Sequence, residues 1–430
     1  MSSRFVRHIM RGWVFAAAGL SMLRAQPVPL SIPRAIALAL ENHPSLQAAT
    51  AGIRSSEAGL TLARSAYFPT LSLSASLSRT EGAFVFNPSF APRSQSYDSY
   101  STGVQAQELL YDFGRTGYRT GASGDFLQAA QLDYETTREA VIVNVQLAYF
   151  NLVQAERVVS VSEEAVSLAE DNLRRAKAFY SVGKGPEFDV TKAGVDLANA
   201  NVNLIRARNQ RRIAEVQLEN AVGVHPPSEF ATPDTFGVPP FKVPLDSALA
   251  VANANRPDLA SAVARVSASE SLVSAARSQH LPIVSAFGTW TWSGFQLPLY
   301  DRWNAGVSLS IPVFQGFGIS AQVDQAQASA DIARVTVDLL RESIRLDVQQ
   351  SYANLREAEE RIGATAQLVG QARENLRLAQ KQYAAGVGTP LAVSDALFQL
   401  SNAEITNVQA LHDYNSSLVT LQRAMGIVGK

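Results

Sequence analysis

The sequence contains no cysteine. That excludes a disulfide framework, thiolate catalysis and cysteine-held metal, and it removes the sulfur acceptor for a lipid anchor. Four methionines are too few to line a copper route. The five histidines are scattered; His8 falls near the start and His280 on a helix seam. The patterns G-x-x-x-x-G-K-S/T, G-x-S-x-G and H-E-x-x-H are absent, and Gly386-Val387-Gly388 lacks the third glycine of a dinucleotide loop. A net charge of −1 lacks the basic excess of a nucleic-acid surface. No apolar run after the first residues is long enough for a transmembrane helix. The expectation is a protein with no catalytic residues, no cofactor, no metal and no nucleic-acid partner.

What the chain does have is an unbroken heptad seam. Val141, Val145, Ala148, Leu152, Ala155, Val159, Ser162, Val166, Ala169, Leu173, Ala176 and Tyr180 recur at alternating spacings of four and three. Such a helix supercoils against partners, and alanine at alternate knobs lets backbones approach closely. The seam returns 203 positions later, from Ile344 to Tyr383, in the same register, with Thr365 matching Ser162. Both copies end in a glycine turn. The first has Gly183, Gly185 and Pro186; the second has Gly386, Gly388 and Pro390. Glycine past one helix and proline opening the next predict two helical hairpins. From Gly114 to Ser181 there is no proline, so one helix there would reach about 100 Å. The helices from Pro44 and from Glu187, laid end to end, nearly match that length and are expected to stack beside it.

Between these helices the period changes to two. Leu71, Leu73, Ala75 and Leu77 alternate with serines, and Tyr100, Thr102, Val104 and Ala106 alternate with polar residues. The second half offers Val284, Ala286, Trp290 and Trp292, with Phe287 irregularly on the polar side, and then Trp303, Ala305, Val307 and Leu309. Strands are predicted at about 69–80, 98–111, 283–293 and 302–313, long enough to cross a bilayer at a tilt. Loops are predicted from Glu81 to Tyr97 and from Ser293 to Asp301. Trp290, Trp292, Tyr300 and Trp303 form a candidate aromatic girdle. Arg4, Arg7 and Arg11, followed by the apolar stretch from Trp13 to Leu23, read as a secretory leader over 1–25. The remainder divides into a first repeat at 26–224, a proline-rich linker at 225–244 and a second repeat at 245–430.

At this level of detail the chain resembles the TolC-like outer-membrane efflux protein family. The residues carrying the likeness are the stretch from Ala37 to Pro44, the strand end from Gly306 to Phe314, and the paired glycine turns. The likeness spans both halves. It implies a mainly α fold with a small transmembrane β portion: duplicated coiled-coil hairpins and four strands per subunit, completing a twelve-stranded barrel and helical tunnel in a homotrimer. It implies residence in the outer membrane of a Gram-negative bacterium, embedded in its lipid and reaching into the periplasm. It also implies a passive exit duct for drugs or other toxic small molecules. The partners would be a periplasmic membrane-fusion adaptor, met by the glycine turns, and an inner-membrane pump of the resistance-nodulation-division or ABC type. The same architecture serves as the exit channel of type I protein secretion; a poreless coiled-coil scaffold or adhesin would have no use for the strands. At the turn end the family narrows. By position Asp395 falls on one acidic ring, while the neighbouring acidic position is Ala392. Asp189 matches an aspartate whose arginine partner is here Gly388, and Tyr383 matches a tyrosine whose threonine partner is here Phe188.

Overall fold

A computed structural model describes residues 28–84, 93–223, 230–231 and 236–429; the leader lies outside them. A two-residue strand β1 (Val28–Pro29) precedes α1 (Ile32–Asn42) and α2 (Pro44–Ser65). Strands β2 (Thr70–Phe84) and β3 (Arg93–Tyr111) lead into α3 (Arg115–Ser181), which turns back into α4 (Glu187–Val222). The linker contributes β4 (Phe230–Ala231), which pairs in parallel with β1. The second half repeats the order with α5 (Leu245–Asn255), α6 (Pro257–Arg277), β5 (Ile283–Gly294), β6 (Tyr300–Ser310), α7 (Gly318–Ala384) and α8 (Pro390–Ala424). Among the described residues no helix is long and apolar enough to cross a membrane.

The long helices α3 and α7 have 67 residues each, about 100 Å at the helical rise. Beside α3 stand α2 above and α4 below; beside α7 stand α6 above and α8 below. The shorter helices therefore stack along the longer ones, as their lengths predicted. Contacts of α3 with α6 and α8 join the halves into one layer. The knobs drive this packing: Val145, Leu152, Ile344, Val348 and Leu355 are buried. The polar knobs are satisfied within their helix, Ser162 donating to the Val158 carbonyl at 2.8 Å and Thr365 to that of Arg361 at 2.9 Å. Along α3 and α7 one predicted knob fails, and His280 falls past the end of α6, exposed. Tyr180 is 49 % exposed although its counterpart Tyr383 is buried, because the neighbouring Phe179 turns inward and packs edge-on against Tyr383 at 5.3 Å.

The four long strands form one antiparallel sheet in the order β2-β3-β5-β6. The β2–β3 hairpin is longer than the alternation suggested: most of the predicted loop from Glu81 to Tyr97 is paired, with Phe84 opposite Arg93. From Arg93 to Ser99, before the pairing with β5 begins, β3 pairs with β2 alone. Likewise β6 begins at Tyr300 and ends at Ser310, earlier than 302–313 at both ends. Each half passes from strand to helix through two consecutive left-handed residues, Phe113 and Gly114 in the first, Gly316 and Phe317 in the second. Phenylalanine in that conformation costs about 1 kcal/mol or more, so this turn is imposed by its surroundings. In the first half Asp112 supports it, accepting from the backbone N–H and the hydroxyl of Thr116 at 2.7 and 2.6 Å.

Candidate functional site

The register assigns every strand residue to a face. One face collects Leu71, Leu73 and Leu77 of β2, Val104 and Ala106 of β3, Ala286 and Trp290 of β5, and Trp303, Val307 and Leu309 of β6. Its large side chains are exposed; Leu73 is 77 % and Trp303 74 % open. The opposite face carries Ser72, Ser74, Ser76, Gln105, Gln107, Thr289, Thr291 and Asn304. Phe287 is the exception there, and its ring lies against Gly306, where a Cβ would stand 3.0 Å from it. The missing side chain at 306 is what admits the phenyl ring to an otherwise polar surface.

Trp290, Trp292 and Trp303 gather near one end of the apolar face. Trp290 stacks on Trp292 with centroids 5.7 Å apart and pairs across strands with Trp303. Tyr300 does not join them. It pairs with Ser293, which places it on the polar face, so the predicted girdle of four is a cluster of three. A second aromatic band, which the sequence reading missed, lies at the strand-to-helix junctions. Tyr67, Phe68, Tyr111, Phe314 and Phe317 are all at least half exposed there. Tyr111 meets Phe113 at 4.8 Å and Phe314 meets Phe317 at 5.6 Å. Trp290 and Trp292 lie opposite Val104 and Thr102, so between the bands β3 runs about 30 Å from Tyr111 to Thr102, or roughly 23 Å in height at a 40° tilt.

The far end of the molecule is the pair of glycine turns. Gly183 and Gly386 adopt φ of 72° and 76° in open space, so backbone conformation, not crowding, requires glycine there. Each closes its helix end: the Lys184 N–H donates to the Phe179 carbonyl at 2.9 Å and the Val387 N–H to that of Gln382 at 3.1 Å. Gly388 is glycine for the other reason. A Cβ at 388 would stand 2.8 Å from the Tyr383 nitrogen. Gly185 has ordinary room, 3.4 Å from Phe179 Cβ. Pro186 is the N-cap of α4, and Pro390 opens α8.

Tyr383 is the centre of the tip. It packs with Ala379, Val393 and Ala396 and against Phe179 of the other hairpin. Burial, followed by the nearby charge of Asp189, pushes its phenol above the usual tyrosine range. Asp189 and Tyr383, predicted together, are therefore neighbours. Asp395 stands apart and exposed, its carboxylate accepting from Gln399 Nε2 at 2.8 Å. It does not cap α8; Thr389 does, accepting from the Ala392 N–H at 3.2 Å. Phe188 is 72 % exposed and makes no part of the packed tip. Sequence reasoning also missed a polar link between hairpins. Ser394 of α8 donates to Asp196 of α4 at 2.6 Å, and Asp196 is ion-paired with Lys192. Residues 198 positions apart leave no periodic trace of such a contact.

The geometry is that of an amphipathic sheet joined end-on to a long coiled-coil layer, with no group of ligands able to hold a metal among the described residues. Known proteins share it. The chain superposes on the Campylobacter jejuni CmeC outer membrane channel with a TM-score of 0.83, covering 99 % of this chain and 94 % of that one at 20 % identity. It is 24 % identical over 396 residues to outer membrane efflux protein BepC of Brucella suis, covering 91 % of this chain and 84 % of BepC. It is 26 % identical to alkaline protease secretion protein AprF of Pseudomonas aeruginosa, covering 97 % and 88 %. The family model described as outer membrane efflux protein matches residues 35–224 and 248–427, one span in each half of the duplication, so that helical hairpins and strands alike fall within it, and the chain belongs to the outer membrane efflux protein family.

Proposed function

We propose that three copies close into a twelve-stranded barrel continued by an α-helical tunnel, and that the assembly passively conducts toxic small molecules out of the cell. The observation that carries this reading is the two-faced sheet whose two edges are unpaired among the described residues. Open strand edges are not tolerated in lipid, so β2 of one copy must meet β6 of the next. The helical layer has edges in the same order. In the lower half, on α4, Val195, Ile205 and Val216 are exposed on the side away from α3; in the upper half, on α7, Ile332, Val335, Leu339 and Leu346 are exposed on the side away from α6. Two different apolar edges support head-to-tail contacts that close into a ring. The apolar face and its two aromatic bands would then meet lipid, and the hydroxyl-rich face would line a wet lumen.

The glycine turns would lie deepest in the periplasm, where an adaptor of the membrane-fusion type would couple them to an inner-membrane pump. Asp189, Tyr383 and Asp395 would form the constriction there, with three Asp395 carboxylates around one axis favouring cations. Export of a protein is the second reading, supported by the likeness to AprF. Purified protein in planar bilayers should give stepwise conductance. Expressed with its adaptor and pump in a strain lacking its own outer-membrane efflux component, it should lower accumulation of a fluorescent dye. Absence of conductance together with a monodisperse monomer soluble without detergent would overturn the reading.

A further inference from the structure

The duplication places Lys192 and Asp395 at equivalent positions, each 203 residues from the other, and each is tied to the residue one turn on: Lys192 to Asp196, Asp395 to Gln399. The i,i+4 spacing of the pair is kept while the charge of its first member is inverted. The two positions also lie at one height along the helices. Ser394, which precedes Asp395, reaches Asp196 directly at 2.6 Å. Ser394 is buried, and Lys192 and Asp196 are half-buried, so this link lies between the hairpins and not on their surface. Asp395 leaves α8 about 100° round from Ser394 and is exposed.

From this arrangement we infer that Asp196 determines the charge presented at the tip constriction, by neutralising Lys192, and fixes the spacing of α4 from α8 through Ser394. The inference rests on the constriction proposed above. At this level Lys192 and Asp196 cancel within one subunit, and Asp395 remains, with Asp189 one turn from Lys192. Without Asp196 the ammonium of Lys192 would face the same aperture as the Asp395 carboxylate, and the ring would lose one unit of negative charge per subunit. Asp196 is thus a selectivity residue acting through its neighbour. Its second oxygen serves a separate purpose, since Lys192 takes Oδ1 and Ser394 takes Oδ2. The charge effect and the tether can therefore be separated by substitution.

The test uses the full-length channel in planar bilayers under a potassium chloride gradient, reading the cation-to-anion permeability ratio from the reversal potential. Asp196→Asn keeps an oxygen for Ser394 but frees Lys192, and should lower the ratio several-fold toward unity. Lys192→Gln should raise it, and the double variant should return it to the wild-type value. Ser394→Ala changes no charge; it should leave the ratio alone and raise the conductance. Assembly on unheated gels keeps folding failures apart, and Lys192→Gln decides the matter if Asp196→Asn does not assemble. If Asp395→Ala shifts the ratio while Asp196→Asn and Lys192→Gln do not, the role of Asp196 is wrong and the constriction stands. If Asp395→Ala has no effect either, the constriction and this inference fall together.

Discussion

At the scale of single residues, the two halves solve the same problems with different chemistry. Where α2 begins, His43 accepts from the Ser45 N–H at 3.2 Å. At the matching start of α6, Arg256 instead clasps Asp258 at 2.6 Å and Asp347 of α7 at 3.1 Å. Burial would raise the Asp258 carboxyl, but its hydrogen bonds and charge contact with Arg256 outweigh it and hold the pKa below the usual range. A depressed carboxylate stabilises the fold above the unfolded pKa near 4 and loses that contribution as pH falls through the folded value. Asp258→Asn should therefore lower the melting temperature at pH 7, by about 2 kcal/mol of stability. The difference from wild type should close below pH 4; a gap that persists there would mean the ion pair is not its source. Gly388 gives a second expectation. Gly388→Arg forces a Cβ against the Tyr383 nitrogen. Overpacking of that kind costs about 1–3 kcal/mol, so the variant should melt earlier, and no compensating ion pair with Asp189 should appear.

At the scale of elements, the glycine turns make the sharpest prediction. Gly183→Leu and Gly386→Leu meet no neighbour, yet each places a side chain in the left-handed region at about 1–2 kcal/mol. The hairpins, held by buried seams, should survive. Export should be lost while assembly on unheated gels and membrane insertion remain. Loss of assembly would show that the turns serve folding instead. The elements themselves were largely legible, because a heptad seam and a two-residue alternation are periodic signals repeated along a strand or helix. What escaped was not periodic. The β2–β3 pairing past Thr80 runs through Glu81 and Gly82, which read as loop. Tyr300 fell on the wrong face because face depends on register with Ser293, which sequence spacing does not fix. The junction aromatics lie on several elements and meet only when strands and helices are brought together.

At the scale of the whole molecule, a single chain leaves its edges unfinished. Detergent-purified protein should be a trimer by native mass spectrometry, and Leu339→Glu or Leu346→Glu on the outer edge of α7 should weaken it. A charged side chain at a knob position of an assembled seam loses the burial worth about 1.5–3 kcal/mol for leucine. Unchanged trimer stability would place the interface elsewhere. The two strand-to-helix turns also acquire a mechanical meaning at this scale. The tip lies about 100 Å from Phe113-Gly114 and Gly316-Phe317. A stiff rod of that length is a lever, and each degree of tilt at its pivot carries the tip sideways by about 1.7 Å. Rotations of a few degrees next to the sheet thus move the opposite end by several ångströms, on the order of the width of a small solute.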